Sequence, residues 1–144
     1  MMTHLVRTTS ILTLLAACGG EAPEDTDTVT WGEVSHVDDG NVCFGTVDID
    51  TVSTLTVTAS DCLSSSCTDN VEGSCAATVD GTDITLTSDL RWDEVTGGSV
   101  ACTDDCGTAV TRCELEALPE GTYTVSFGSQ TLTLDVPQAE DCGY

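Results

Sequence analysis

Apolar residues recur at every second position in short runs along this chain, the period of half-buried β-strands. In Ser53 to Ala59, Leu55, Val57 and Ala59 alternate with Thr54, Thr56 and Thr58. Between Cys75 and Leu90, Ala77 and Val79 lead to Asp80-Gly81, and Ile84, Leu86 and Leu90 then alternate with Thr85, Thr87 and Asp89. Tyr123, Val125 and Phe127 precede Gly128-Ser129, and Leu132, Leu134 and Val136 follow. One face of each run is apolar and the other is threonine and acid, so each strand is expected to pack on one side only. A two-residue Gly-Ser loop suits a type II′ turn and sets a register in which Phe127 faces Gln130, Val125 faces Leu132 and Tyr123 faces Leu134. For the earlier hairpin a loop at Asp80-Gly81 and one at Gly81-Thr82 remain open, since the shift of two keeps every facing. Further strands are expected over Val29 to Val37, Val42 to Asp50 and Thr108 to Leu115, the last with a short helix as its alternative.

The chain has 144 residues, room for one domain, with 25 acidic and 3 basic side chains and a formal net charge of −22. There is no lysine, and beyond position 20 the only bases are Arg91 and Arg112. Nucleic acid is excluded as a partner, because neutralising phosphates takes clustered Lys and Arg. Electrostatic docking on anionic lipid is excluded for the same reason.

Residues 1 to 17 join a basic start, with Arg7, to a short apolar stretch of Ile11, Leu12, Leu14 and Leu15. That pattern is a signal peptide, too short to cross a bilayer as a helix. It ends in Leu15-Ala16-Ala17-Cys18 and passes abruptly to Gly19-Gly20-Glu21-Ala22-Pro23-Glu24-Asp25. These residues resemble the lipobox of bacterial lipoproteins. The resemblance implies cleavage just before Cys18 and acylation of that residue, which becomes the first of the mature protein. Two or three acyl chains at about 0.8 kcal/mol per buried CH₂ would anchor it stably. Gly19, where the sorting rule would read an aspartate for inner-membrane retention, implies the outer membrane, facing the periplasm or the cell surface. Residues 18 to 28 lack apolar periodicity and read as an acidic tether reaching at most roughly 35 Å.

Eight cysteines remain after Cys18: Cys43, Cys62, Cys67, Cys75, Cys102, Cys106, Cys113 and Cys142. An even count in an exported chain predicts four disulfides bracing residues 29 to 144. Spacing does not choose among on the order of a hundred pairings, although Cys62 to Cys67 and Cys102 to Cys106 are short enough for local loops. A zinc site drawn from Cys102, Cys106 and Cys113 is the competing use of these thiols.

Leu118-Pro119-Glu120-Gly121-Thr122-Tyr123 resembles the tyrosine corner of Greek-key sandwiches, with the proline one place early. Together with the strand spacing this predicts an all-β, immunoglobulin-like antiparallel sandwich. The whole is similar to small cysteine-rich lipoproteins of Gram-negative bacteria, a likeness that implies a fold and no activity.

Candidate chemistry is sparse. His36, in Val34-Ser35-His36-Val37-Asp38-Asp39, is the single possible base for a Ser-His-Asp mechanism beyond the leader, and its neighbours along a strand point to opposite faces. Clustered acids at Asp25 and Asp27, Asp38, Asp39 and Asn41, Asp48 and Asp50, and Asp104 and Asp105 would suit calcium if their oxygens converged. No other cofactor is implied. Arg91-Trp92-Asp93-Glu94 is a candidate recognition patch for a protein partner of the envelope or its surroundings, with Trp92 as the capping residue of a core in the alternative reading. The expected function is a membrane-anchored, non-enzymatic interaction or structural module. An envelope hydrolase using carboxylates or His36, and a calcium-dependent adhesive domain, are the alternatives.

Overall fold

The structure, a computed structural model, describes residues 28–142, all of their regular elements β-strands. The leader, Cys18, most of the tether and Asp25 and Asp27 lie outside the described residues. Eight strands run β1 (Thr30–Val37), β2 (Asn41–Phe44), β3 (Ser53–Thr58), β4 (Thr68–Asp80), β5 (Asp83–Gly97), β6 (Val110–Leu115), β7 (Gly121–Phe127) and β8 (Gln130–Val136). They form a five-stranded sheet of β1, β4, β5, β7 and β8 and a three-stranded sheet ordered β2-β3-β6. The strand reading of Thr108 to Leu115 holds in β6, where Thr111, Cys113 and Leu115 are buried in alternation.

β5 organises the larger sheet. Its residues from Asp83 to Glu94 pair with β4 along one edge. Its other edge is shared end to end, by β7 at Asp83 to Leu86 and by β1 at Asp89 to Gly97. The β5–β7 pair is parallel, a correction to the expectation of an antiparallel arrangement throughout. Parallel neighbours need a long crossover, and between β5 and β7 the chain visits the other sheet as β6.

Alternation places the core. Leu55 and Val57 of β3 and Cys113 and Leu115 of β6 meet Ile84, Leu86, Leu90 and Trp92 of β5, with Tyr123, Val125, Phe127, Leu134 and Val136 beyond. Each fully buried side chain of this size stabilises the fold by about 1.5–3 kcal/mol relative to exposure. The last hairpin has the register its loop demands: Phe127 faces Gln130, Val125 faces Leu132 and Tyr123 faces Leu134. Gly128 takes φ 54°, a conformation the first loop residue of this turn requires and only glycine adopts cheaply. The earlier hairpin turns at Gly81-Thr82, with Asp80 opposite Asp83, and Gly81 at φ 63°. The strand expected from Val42 to Asp50 stops at Phe44. Past it Val47 makes only an isolated bridge to Gln138, and Asp50, at φ 54°, turns the chain while its amide donates to Leu118 O.

All eight cysteines of the domain pair: Cys43–Cys142, Cys62–Cys106, Cys67–Cys102 and Cys75–Cys113, with Cα separations of 4.3, 4.9, 5.5 and 4.8 Å. Cys75–Cys113 ties β4 to β6 across the two sheets, and Cys43–Cys142 secures the C-terminal segment against β2. The short local loops expected at 62–67 and 102–106 do not close on themselves; the two segments are bridged to each other. Cys102, Cys106 and Cys113 go to three separate bridges, which removes them as a zinc set.

Candidate functional site

Side chains at every second residue of β5 point away from the core, so Thr87, Asp89, Arg91 and Asp93 line the solvent face of the larger sheet. Register brings β1 and β4 alongside: Glu33 opposes Asp93, Ser35 opposes Arg91, Glu72 opposes Arg91 and Ser74 opposes Asp89. Three depressions overlap along this face. The first, of about 180 Å³, lies among Glu33, Asn70, Glu72, Arg91 and Asp93. The second, of about 370 Å³, lies among Glu72, Ser74, Asp89 and Arg91. The third, of about 260 Å³, continues past Ser74 and Asp89 to Val37, Ala76 and Thr87. Shared residues make them one trough with β5 as its floor.

Arg91 pairs with Asp89. Its Nε donates to Asp89 Oδ1 at 2.8 Å and its Nη2 to Asp89 Oδ2 at 2.5 Å, the two-pronged pairing that the guanidinium plane favours. Arg91 holds the Asp89 carboxyl below its ordinary value, with a further bond from Ser35, and Asp89, Glu33 and Glu72 hold the Arg91 guanidinium above its own. At the end nearer Glu33, a register shift between Asp69 and Glu72 throws Asn70 into a left-handed conformation, φ 51°, that Asn tolerates better than most residues. Its Nδ2 then donates to Asp93 Oδ2 at 2.7 Å. Trp31, exposed opposite Val95, stands two residues along β1 from Glu33 on the same face.

Of the four residues that form the candidate patch, Arg91 and Asp93 sit in the trough and Glu94 is exposed. Trp92 is a correction: it is 2% exposed and packs in the core, as strand alternation requires when Arg91 and Asp93 face water. Asp89 lies two residues before Arg91 on the same strand, but Glu33, Asn70 and Glu72 do not stand out in the sequence. No local motif marks them, because β1 and β4 bring their residues to β5 from distant positions.

His36 faces inward at the edge of the same sheet, stacked on Trp92 with ring centroids 5.1 Å apart. Its Nδ1 lies 3.2 Å from Asp39 Oδ2 and its Nε2 2.9 Å from Asp61 Oδ2. Both nitrogens are thereby engaged by carboxylates, while Ser35 bonds Asp89 on the opposite face. A Ser-His relay needs one nitrogen on a nucleophile and the other on its orienting acid. The contacts here do not have that form.

A second polar cluster sits where segments 62–67 and 102–106 are doubly bridged. Thr103 Oγ1 lies 3.0 Å from Ser64 Oγ and 3.2 Å from Ser66 Oγ and donates to Asp105 Oδ1, while the Ser65 amide reaches both Asp105 oxygens at 3.3 Å. Bonds from Ser65 and Thr103 hold the Asp105 carboxyl below its ordinary value. Activating a serine takes an adjacent base able to accept its proton near neutrality, and a carboxylate so stabilised is a poor one.

Asp38, at φ 51°, accepts the Ser88 amide at 2.8 Å, and the Asp48 carbonyl accepts the Thr51 amide in the turn at Asp50. No family model, curated protein or solved structure matches the chain.

Proposed function

We propose that this chain is a lipid-anchored, non-enzymatic binding or structural module of the bacterial cell envelope. Its leader is removed before Cys18, that cysteine is acylated, and residues 18 to 28 tether an immunoglobulin-like sandwich at the outer membrane. The observation that carries this reading is the cysteine pairing. Every one of the eight later cysteines takes a partner among the eight, which leaves Cys18, at the end of Leu-Ala-Ala-Cys, for other chemistry. Four bridges in so small a domain suit an oxidising compartment outside the cytosol.

Two details support the immunoglobulin-like type. Tyr123 Oη donates to Pro119 O at 2.9 Å, the bond a tyrosine corner makes to upstream backbone, and a bridge between the sheets, Cys75–Cys113, accompanies a core tryptophan, Trp92. The engagement of both His36 nitrogens by carboxylates and the trough of paired charges favour binding over turnover.

The test is membrane fractionation of the full chain in a Gram-negative host fed an alkyne-bearing fatty acid. The wild-type chain is expected in the membrane fraction carrying label, with an N-terminal peptide whose mass begins at acylated Cys18. Cys18→Ser is expected to carry no label. A wild-type chain that is unlabelled, with its residues before Cys18 intact or cut elsewhere, would overturn the proposal.

A further inference from the structure

We infer that His36 is a proton-gated latch: with a proton on both ring nitrogens it ties the turn after β1 to the link after β3, and on losing one proton it lets one of the two go. Donor counting is the first argument. Nδ1 lies 3.2 Å from Asp39 Oδ2 and Nε2 lies 2.9 Å from Asp61 Oδ2. A carboxylate only accepts, and an imidazole carrying one proton has one donor and one acceptor. In that form one ring nitrogen sets its lone pair against a carboxylate oxygen. Both contacts are hydrogen bonds only when both nitrogens are protonated.

The stack on Trp92 is the second argument, and it does not depend on the carboxylates. The two rings lie 5.1 Å apart with 13° between their planes, so the imidazole sits over the indole face. That is within the roughly 6 Å at which such a face attracts a cation. Trp92 is buried and His36 is 16% exposed, which leaves the imidazole shielded on one side yet open to exchange its proton with solvent.

Around the ring, Asp39 comes from the turn after β1 and Asp61 from the link after β3, while β5 offers uncharged Ser88, Leu90 and Trp92 on its inward face. Asp38, beside Asp39, is bonded to the Ser88 amide, and Glu33, Asp89 and Arg91 lie on the solvent face. β1 belongs to the larger sheet and the link follows a strand of the smaller one. The closed latch therefore spans the seam between the sheets, one residue before the Cys62–Cys106 bridge. His36 is the only histidine beyond the leader, and imidazole is the side chain that ordinarily changes charge between about pH 5 and 8. What the latch adds is present at the acid end of that range and lost toward the basic end.

The experiment is NMR of the full chain in detergent, with isotope-labelled histidine, at the acid and basic ends of that range. Ring nitrogen shifts count the protons. Solvent exchange of the Asp39, Gly40, Ser60 and Asp61 amides, corrected for its intrinsic pH dependence, reads the latch. Two ring protons at the acid end and one at the basic end are expected. Protection of the turn or the link should fall between them by roughly threefold, the size of a half-exposed ion pair. His36→Gln, which does not titrate, should show no such fall. Asp39→Asn combined with Asp61→Asn should also abolish it, because an amide can donate to the unprotonated nitrogen where a carboxylate cannot.

A ring with one proton at the acid end or two at the basic end would overturn the inference. So would equal protection at both ends, or a fall that persists undiminished in His36→Gln or in the asparagine pair.

Discussion

The β7–β8 hairpin and the doubly bridged segments 62–67 and 102–106 are ordered by opposite means. The hairpin has no cysteine between Gly121 and Val136, and Tyr123, Val125, Phe127, Leu134 and Val136 are buried along it. In the bridged segments Leu63 and Cys67 are buried, and Ser65, Ser66, Cys102, Thr103, Asp104, Asp105 and Cys106 are exposed. Two disulfides and a web of hydroxyl and carboxylate hydrogen bonds do there what apolar packing does in the hairpin. Where a strand alternates, burial offsets the entropy of ordering it. Where hydrophilic loops must hold one shape, covalent closure removes that entropy from the unfolded chain instead.

Breaking each region by its own support makes the comparison quantitative. Phe127→Ala should cost about 3–5 kcal/mol, the largest effect expected, read as a drop in denaturant midpoint. Its loss should be similar whether or not the Cys62–Cys106 bridge is present. Replacing Cys67 and Cys102 together by alanine should cost about 2–4 kcal/mol. Hydrogen exchange should then quicken in segments 62–67 and 102–106 well before it does in β7 and β8; the reverse order would collapse the distinction. Tyr123→Phe keeps the buried ring and removes only the bond to Pro119 O, so it should cost about 0.5–1.5 kcal/mol.

The smallest effect is in acid. Asp105 titrates below its ordinary value of 3.8, so what it contributes is full above that value and fades as pH falls through the lower folded midpoint. Carbon NMR of its carboxyl should show that depressed midpoint, and Thr103→Val should move it back upward. A wild-type midpoint at or above 3.8 would remove the electrostatic share of the loop web.

Much of the hairpin is legible in the amino-acid sequence. Its register follows from a two-residue Gly-Ser loop and a period of two, both local properties. The even cysteine count is legible too, but the pairing is not, since Cys62 meets Cys106 only after β4 and β5 have brought the two segments together. The same limit applies to the trough. Arg91 and Asp93 are visible as a charged pair, yet Glu33, Asn70 and Glu72 join them through strand registers that no local pattern specifies. Trp92 is legible in principle: the alternation through Ile84, Leu86 and Leu90 puts it on the buried face. Its aromatic identity suggests a recognition hot spot, and periodicity decides otherwise.

The claim on which the account stands is that a chain fastened at Cys18 carries all its other sulfur in four bridges. Intact mass of the protein recovered from its native membrane, taken before and after reduction, tests it most directly. The account predicts a chain beginning at Cys18 with acyl mass that survives reduction, and a gain of two hydrogens for each of the four bridges. No gain on reduction, or a chain that carries no lipid, would contradict it.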